Sequence, residues 1–265
     1  MKILITGAHG FVGNRLMQDL DDTVAAPSMR SMSEEQIRNM IEKSRADVII
    51  HTAAISDVGT CEKDPGASYE ANVRLPLFLA KAVKEQKLIC FSSDQVYRGC
   101  AGEGPYKEED ASPCNVYGRH KLEMEQRVLD VKPDAVMLRA EWMYDYPTKR
   151  SNYLRMLLNE KQVLTFGKQY RGITYLREVA ENMPKIFMLP GGVYNFGSET
   201  KQTMYDITCE MLHFLKSDRK PEEVPPAHNL WMDCTKAKER GILFSDAKEG
   251  LKRCLKDYHL AKDRE

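Results

Sequence analysis

Three glycines stand three residues apart near the start of the chain, in Gly7-Ala8-His9-Gly10-Phe11-Val12-Gly13, directly after the apolar run Ile3-Leu4-Ile5-Thr6. A strand that ends in glycine can turn tightly and bring its backbone against a pyrophosphate. The helix that follows offers free N–H groups and the positive end of its dipole to the same anion. Between a buried-looking strand and an amphipathic helix, the spacing has the context that this motif demands. Gly7, His9, Gly10, Phe11, Val12 and Gly13 are therefore expected to bind a dinucleotide cofactor, with His9 filling a variable position between the glycines. The next strand runs into Pro27-Ser28-Met29-Arg30. An acid there would bond a ribose 2′-hydroxyl, but none follows until Glu34. Ser28 and Arg30 could instead hold a 2′-phosphate, which favours NADP(H) over NAD(H). The alternative for Arg30 is a solvated loop residue.

Tyr117 and Lys121 fall in Tyr117-Gly118-Arg119-His120-Lys121. Four residues apart on a helix, they share one face. An ammonium beside the phenol, together with an oxidised nicotinamide, is expected to lower the phenol's pKa from about 10. The phenol could then deliver a proton to a carbonyl oxygen while hydride arrives at carbon. The pair lies downstream of an apolar segment ending Cys90-Phe91-Ser92-Ser93-Asp94, so the order is glycine loop, strand-end serine, then tyrosine and lysine.

The elements that must position these groups alternate. Strands are predicted at Lys2–Thr6, Thr23–Ala26, Asp47–Thr52, Leu88–Ser92 and Ala135–Arg139, each apolar without strict alternation, as strands covered on both faces are. Helices are predicted between them at about Phe11–Leu20, Ser33–Ser44, Pro65–Gln86 (kinked at Pro76) and Asn115–Asp130. That alternation reads as an α/β, doubly wound parallel sheet. Later come a helix near Asn152–Asn159, a strand around Val163–Phe166, a helix near Leu176–Phe187 and a last core strand at Gly192–Phe196. Helical spacing recurs over Thr200–Leu215 and Asp246–Tyr258, joined by a proline-rich loop at Pro221–Asn229. The expected organisation is a nucleotide-binding domain over 1–145, rejoined by 167–198, with a smaller C-terminal substrate lobe from 146–166 and 199–265.

Composition narrows the function classes. Lysine plus arginine and aspartate plus glutamate both number 39, a balance that argues against nucleic-acid or membrane-surface partners. Seven scattered cysteines without a CxxC pair suggest reduced thiols in the cytoplasm, not a disulfide frame or metal site. No apolar stretch reaches membrane-spanning length, and the short N-terminal run is no signal peptide.

Taken together, the glycine loop, His51-Thr52-Ala53-Ala54, Asn72, Ser92-Ser93-Asp94 and Tyr117 with Lys121 resemble the extended short-chain dehydrogenases, and within them the dTDP-4-dehydrorhamnose reductase group. Ser92-Ser93-Asp94-Gln95-Val96-Tyr97, Tyr106-Lys107-Glu108-Glu109-Asp110, Asn115-Val116-Tyr117-Gly118, Leu138-Arg139 with Trp142, and Asp233 with Lys236 follow that group's pattern across nearly the whole chain. The resemblance implies a Rossmann domain, a small substrate lobe, a nucleotide-sugar substrate and a homodimer. It makes Tyr117 the proton donor, with Lys121 steadying it and bonding the nicotinamide ribose, and Ser93 the partner of the substrate carbonyl. It places Ala53 and Ala54 along the cofactor, and Asp94, Gln95 and Trp142 at the sugar. Arg171 resembles an arginine that related epimerases aim at pyrophosphate. Trp142 could equally be a core aromatic and Arg171 a surface ion pair, while Asn72 and His51 read as packing residues. The chain departs from the reductases at Gln95, where they usually have tyrosine, and at Gly59-Thr60, where they carry an acid and a lysine.

Three functions fit. The first is a reductase that moves hydride from NAD(P)H to a keto group on a nucleotide-linked deoxysugar. The second is an epimerase or dehydratase on the same scaffold, which Gln95 disfavours because an amide cannot replace a carboxylate base. The third is a cofactor-binding regulatory protein similar to the β subunit of methionine adenosyltransferase, which resembles the same reductases.

Overall fold

The computed structural model describes residues 1–148 and 150–260. β1 (Ile3–Thr6), β2 (Thr23–Ala25), β3 (Val48–His51), β4 (Lys87–Ser93) and β5 (Val136–Ala140) alternate with helices. β6 (Trp142–Tyr144), β7 (Thr165–Phe166) and β8 (Ile173–Tyr175) are short, β9 (Gly192–Phe196) returns to the first set, and β10 (Glu222–Glu223) comes last. The main sheet runs β2-β1-β3-β4-β5-β9 with every pair parallel. Ile50 and Ile89 face one side of it with Leu138, under the helices Phe11–Asp19 and Leu176–Ile186. Ile49 and Leu88 face the other side with Met137. Neighbouring residues thus bury on opposite faces, which explains why the strands read as unbroken apolar runs. The order is that of a Rossmann-like sheet whose half beyond β1 holds only β2. The strand order reverses between β1 and β3, where open α/β sheets form their binding crevice.

The predicted Pro65–Gln86 helix is three pieces, Pro65–Tyr69, a π turn at Glu70–Arg74 and Leu75–Ala82, preceded by an unpredicted helix at Val58–Lys63. Pro76 sits in the first turn of the last piece, where a missing N–H is tolerated, so the irregularity falls before the proline. The Val116–Val131 helix starts at Asn115, whose side chain accepts from the Gly118 N–H at 2.7 Å.

A third apolar cluster gathers Tyr144, Tyr153, Leu157, Ile173, Tyr175, Met211, Leu251 and Leu255 around the parallel pair β6–β8. Ala237 and Ile242 pack instead with the sheet's first cluster. The expected loop after Pro221 contains β10, paired with β7. Glu222 and Glu223 lie between prolines but keep their own N–H groups, and that of Glu222 reaches the Leu164 carbonyl at 2.8 Å. Among the described residues, no helix is long and apolar enough to cross a membrane.

Candidate active site

A cavity of about 500 Å³ opens at the β1–β3 crevice and runs from the glycine loop to the ends of β4 and β5. Gly7 turns with φ +71°, and a Cβ there would lie 2.7 Å from the Ala53 nitrogen, so loop and strand end touch through backbone alone. His9, Gly10, Phe11 and Val12 line the cavity with Ala53 and Ala54. Gly13 is buried behind the loop, where a Cβ would collide with the Gly7 carbonyl; it seats the helix and does not line the cavity. Ser28 and Arg30 line one end, both exposed. Asn72 accepts from the Ile55 N–H at 3.1 Å and donates to its carbonyl at 2.9 Å, pinning the loop after Ala53-Ala54. His51 is buried with Nδ1 2.7 Å from the Thr6 hydroxyl, and burial drops its pKa to about 3. Both residues hold the frame of the crevice.

At the other end, Ser93, Tyr117 and Lys121 converge on the same wall. Tyr117 and Lys121 share the inner face of the Val116–Val131 helix, with the ammonium 5.9 Å from the phenol ring centre. That helix docks tightly on the turn Asp94–Tyr97 because residue 118 is glycine; a Cβ there would strike the Gln95 carbonyl. Among the chain's own groups, the balance pushes the phenol up. Burial dominates, the Ser93 hydroxyl opposes it and Asp94 adds to it. The Lys121 ammonium donates to the Phe91 carbonyl at 2.7 Å, and burial lowers its pKa to about 8.

Asp94 is buried. Its Oδ1 accepts from the Ser93 hydroxyl at 3.1 Å, and its Oδ2 takes both Nε and Nη2 of Arg171 at 3.1 and 2.8 Å. The guanidinium carbon lies 5.2 Å from the Trp142 ring centre. Arg171 is thus brought to the strand-end serine, pinned by a carboxylate and backed by an aromatic face. Gln95 also lines the cavity, its side-chain Oε1 accepting from the Asn115 amide at 3.0 Å.

Two charged lining residues were not foreseen. Glu141 is a buried acid just past β5; the available signal was a lone acid in the apolar run Ala135–Met143. Arg150 reaches across from the segment after β6, donating to the Ser56 hydroxyl at 2.9 Å with its guanidinium 5.8 Å from the Phe11 ring centre. Nothing in its local sequence marks it.

This frame is a dinucleotide crevice with a tyrosine–lysine–serine set at its far end, the layout of an extended short-chain dehydrogenase. The chain belongs to the family described as the RmlD substrate binding domain, which matches residues 1–260. It is 28% identical over 243 residues to a dTDP-4-dehydrorhamnose reductase of Aggregatibacter actinomycetemcomitans, covering 84% of this chain and 82% of that protein. It is 27% identical over 234 residues to the zebrafish (Danio rerio) methionine adenosyltransferase 2 subunit beta, covering 78% and 72%. Among solved structures, a dTDP-4-dehydrorhamnose reductase from Bacillus anthracis, in complex with NADP, superposes with a TM-score of 0.86 at 22% identity, covering 97% of this chain and 99% of that one.

Proposed function

We propose that this chain is a cytoplasmic NADPH-dependent reductase of a keto group on a nucleotide-linked deoxysugar, similar in chemistry to dTDP-4-dehydrorhamnose reductase. The observation that carries the reading is the convergence of Ser93, Tyr117 and Lys121 on the wall of the cavity whose opposite end is the glycine loop. The glycine contact between Gly7 and Ala53 and the size of the cavity suit a dinucleotide held by Gly7, Gly10, Phe11, Val12, Ala53 and Ala54. When bound, the nicotinamide supplies the hydride. Seven free cysteines fit a reducing compartment.

The chain's own residues supply protons and position. Burial keeps the Tyr117 phenol protonated, the state that a reductase needs to protonate the oxygen of the reduced ketone. Lys121 holds the ribose and, as an ammonium below its pKa of about 8, keeps a positive charge beside the phenol. Ser93 transfers its hydrogen bond from Asp94 to the substrate carbonyl. Trp142 and Arg171, pinned by Asp94, border the sugar. Arg30 and Ser28, exposed at the adenosine end, select the 2′-phosphate. Gln95 binds the sugar by hydrogen bonds and has no basic form at neutral pH. The proposed organisation is a nucleotide-binding domain over residues 1–145 with 167–198 and a substrate lobe drawn from the rest; the third apolar cluster is built mostly from that lobe, with Tyr144, Ile173 and Tyr175 joining it to the domain.

The similarity to a methionine adenosyltransferase β subunit favours a second reading, a cofactor-binding regulatory protein. Turnover of NADPH with a panel of 4-keto nucleotide sugars tests the first. Its absence, together with stoichiometric association with a methionine adenosyltransferase catalytic subunit, would establish the second.

A further inference from the structure

Glu141 is the buried acid that this reading leaves without a task. Its carboxyl occupies a slot between Gly172 and Gly197, where a Cβ on either glycine would collide with its oxygens. Thr174 donates to Oε2 at 3.0 Å. The charged and titratable groups that face it are Asp94 from the turn after β4, Arg171 from the segment before β8, and the Cys234 thiol ahead of the helix Thr235–Lys238. Arg171 already gives both of its inward donors to Asp94, which is itself buried. One guanidinium therefore serves two buried carboxyl groups, bonded to Asp94 and only near Glu141, and can balance only one negative charge. Burial pushes Glu141 well above the usual carboxyl range; Thr174 and Arg171 oppose that and Asp94 reinforces it.

We propose that Glu141 is a positioning residue that works as a neutral acid. In that form it leaves Arg171 to Asp94 and keeps the sugar end of the cavity free of uncompensated negative charge. Ionised, it competes with Asp94 for Arg171 and adds a charge that repels an anionic substrate. The part concerning substrate rests on the reductase reading. The part concerning protonation rests on the slot and its neighbours.

The test compares wild type with Glu141→Gln, an uncharged variant of the same shape. KM for the keto nucleotide sugar in wild type should rise about tenfold from neutral to alkaline pH, about what one uncompensated charge nearby would cost. KM in Glu141→Gln should stay at the neutral-pH wild-type value, and the affinity for NADPH should be equal in the two. The same alkaline rise in the variant, or a KM already raised at neutral pH, would overturn the proposal. A second measurement needs no substrate. The folded wild type keeps a proton that the unfolded chain releases above the ordinary value of 4.5, so it loses stability relative to Glu141→Gln as pH rises. Melting temperatures that diverge in the variant's favour support the neutral acid; a constant difference across pH contradicts it. Because melting is independent of turnover, failure of the reductase reading and failure of this inference are told apart.

Discussion

The ammonium of Lys121 donates to the backbone carbonyl of Phe91 at 2.7 Å, deep beneath the phenol of Tyr117. The lysine is thereby anchored to β4, one of the strands that frame the crevice, and its charge is held in the cavity wall with little exposure. Burial lowers its pKa to about 8, with Glu125 among the groups that oppose the shift.

Stability should report that anchored charge. Folded Lys121 gives up its proton near pH 8, whereas an unfolded lysine keeps it to 10.5. Between those values the unfolded chain binds more protons, so stability rises with pH. Wild type should therefore gain on Lys121→Met from pH 8 to 10.5 by roughly 5–10 °C of Tm, at about 2–4 °C per kcal/mol. Paired melts across that window measure it, and parallel curves would mean that the folded lysine titrates like a solvated one.

Tyr117→Phe removes the proposed acid and keeps the ring. Loss of a positioned general acid typically costs about 10²–10⁴-fold in rate, so kcat should fall by that much with little change in NADPH affinity. Steady-state kinetics beside a cofactor titration check both halves. A variant that turns over at the wild-type rate would remove Tyr117 from the chemistry.

Arg30→Ala should weaken NADPH binding and spare NADH, since only NADPH carries the 2′-phosphate. A charge-assisted contact of this kind contributes about 1.5–3 kcal/mol. Equal losses in the two titrations would assign Arg30 to the loop's structure.

How far the sequence carried follows from where each group sits. The glycine loop and the Tyr117–Lys121 pair are short-range patterns, each written within a single strand–turn–helix or helix turn, and the structure brings both to one cavity. The main strands were legible because opposite-face burial leaves continuous apolar runs. The proline-rich segment hid β10, since a two-residue strand among prolines carries no period. Pro76 marked an irregular helix but not its form, because the neighbouring turns, not the proline, widened into a π turn. Glu141 and Arg150 owe their places to β6, β8 and the loops around them, which meet the crevice from far along the chain. The upward push that the chain's own groups give Tyr117 could not be read from its neighbour four residues on, because its largest cause is burial, which the tertiary packing sets.

The Asp94–Arg171 pair offers a test of the sugar end. Arg171→Ala leaves a buried carboxylate without its cation. Since the arginine side chain is 26% exposed, the expected loss is about 2–3 kcal/mol, below the range for a fully buried pair. Asp94→Asn combined with Arg171→Ala should recover part of that loss, with a coupling of about 1 kcal/mol or more. Urea unfolding of the two single variants and the double variant decides it; additive losses would reduce the pair to simple proximity.

The most direct test of the central claim is product analysis after incubation with NADPH and a 4-keto-6-deoxy nucleotide sugar. One carbinol should form per NADPH oxidised by wild type, and about 10²–10⁴-fold more slowly with Tyr117→Phe. The contradicting result is a 4-keto-6-deoxy product made from intact dTDP-glucose with catalytic NAD⁺, which would require the base that Gln95 cannot supply.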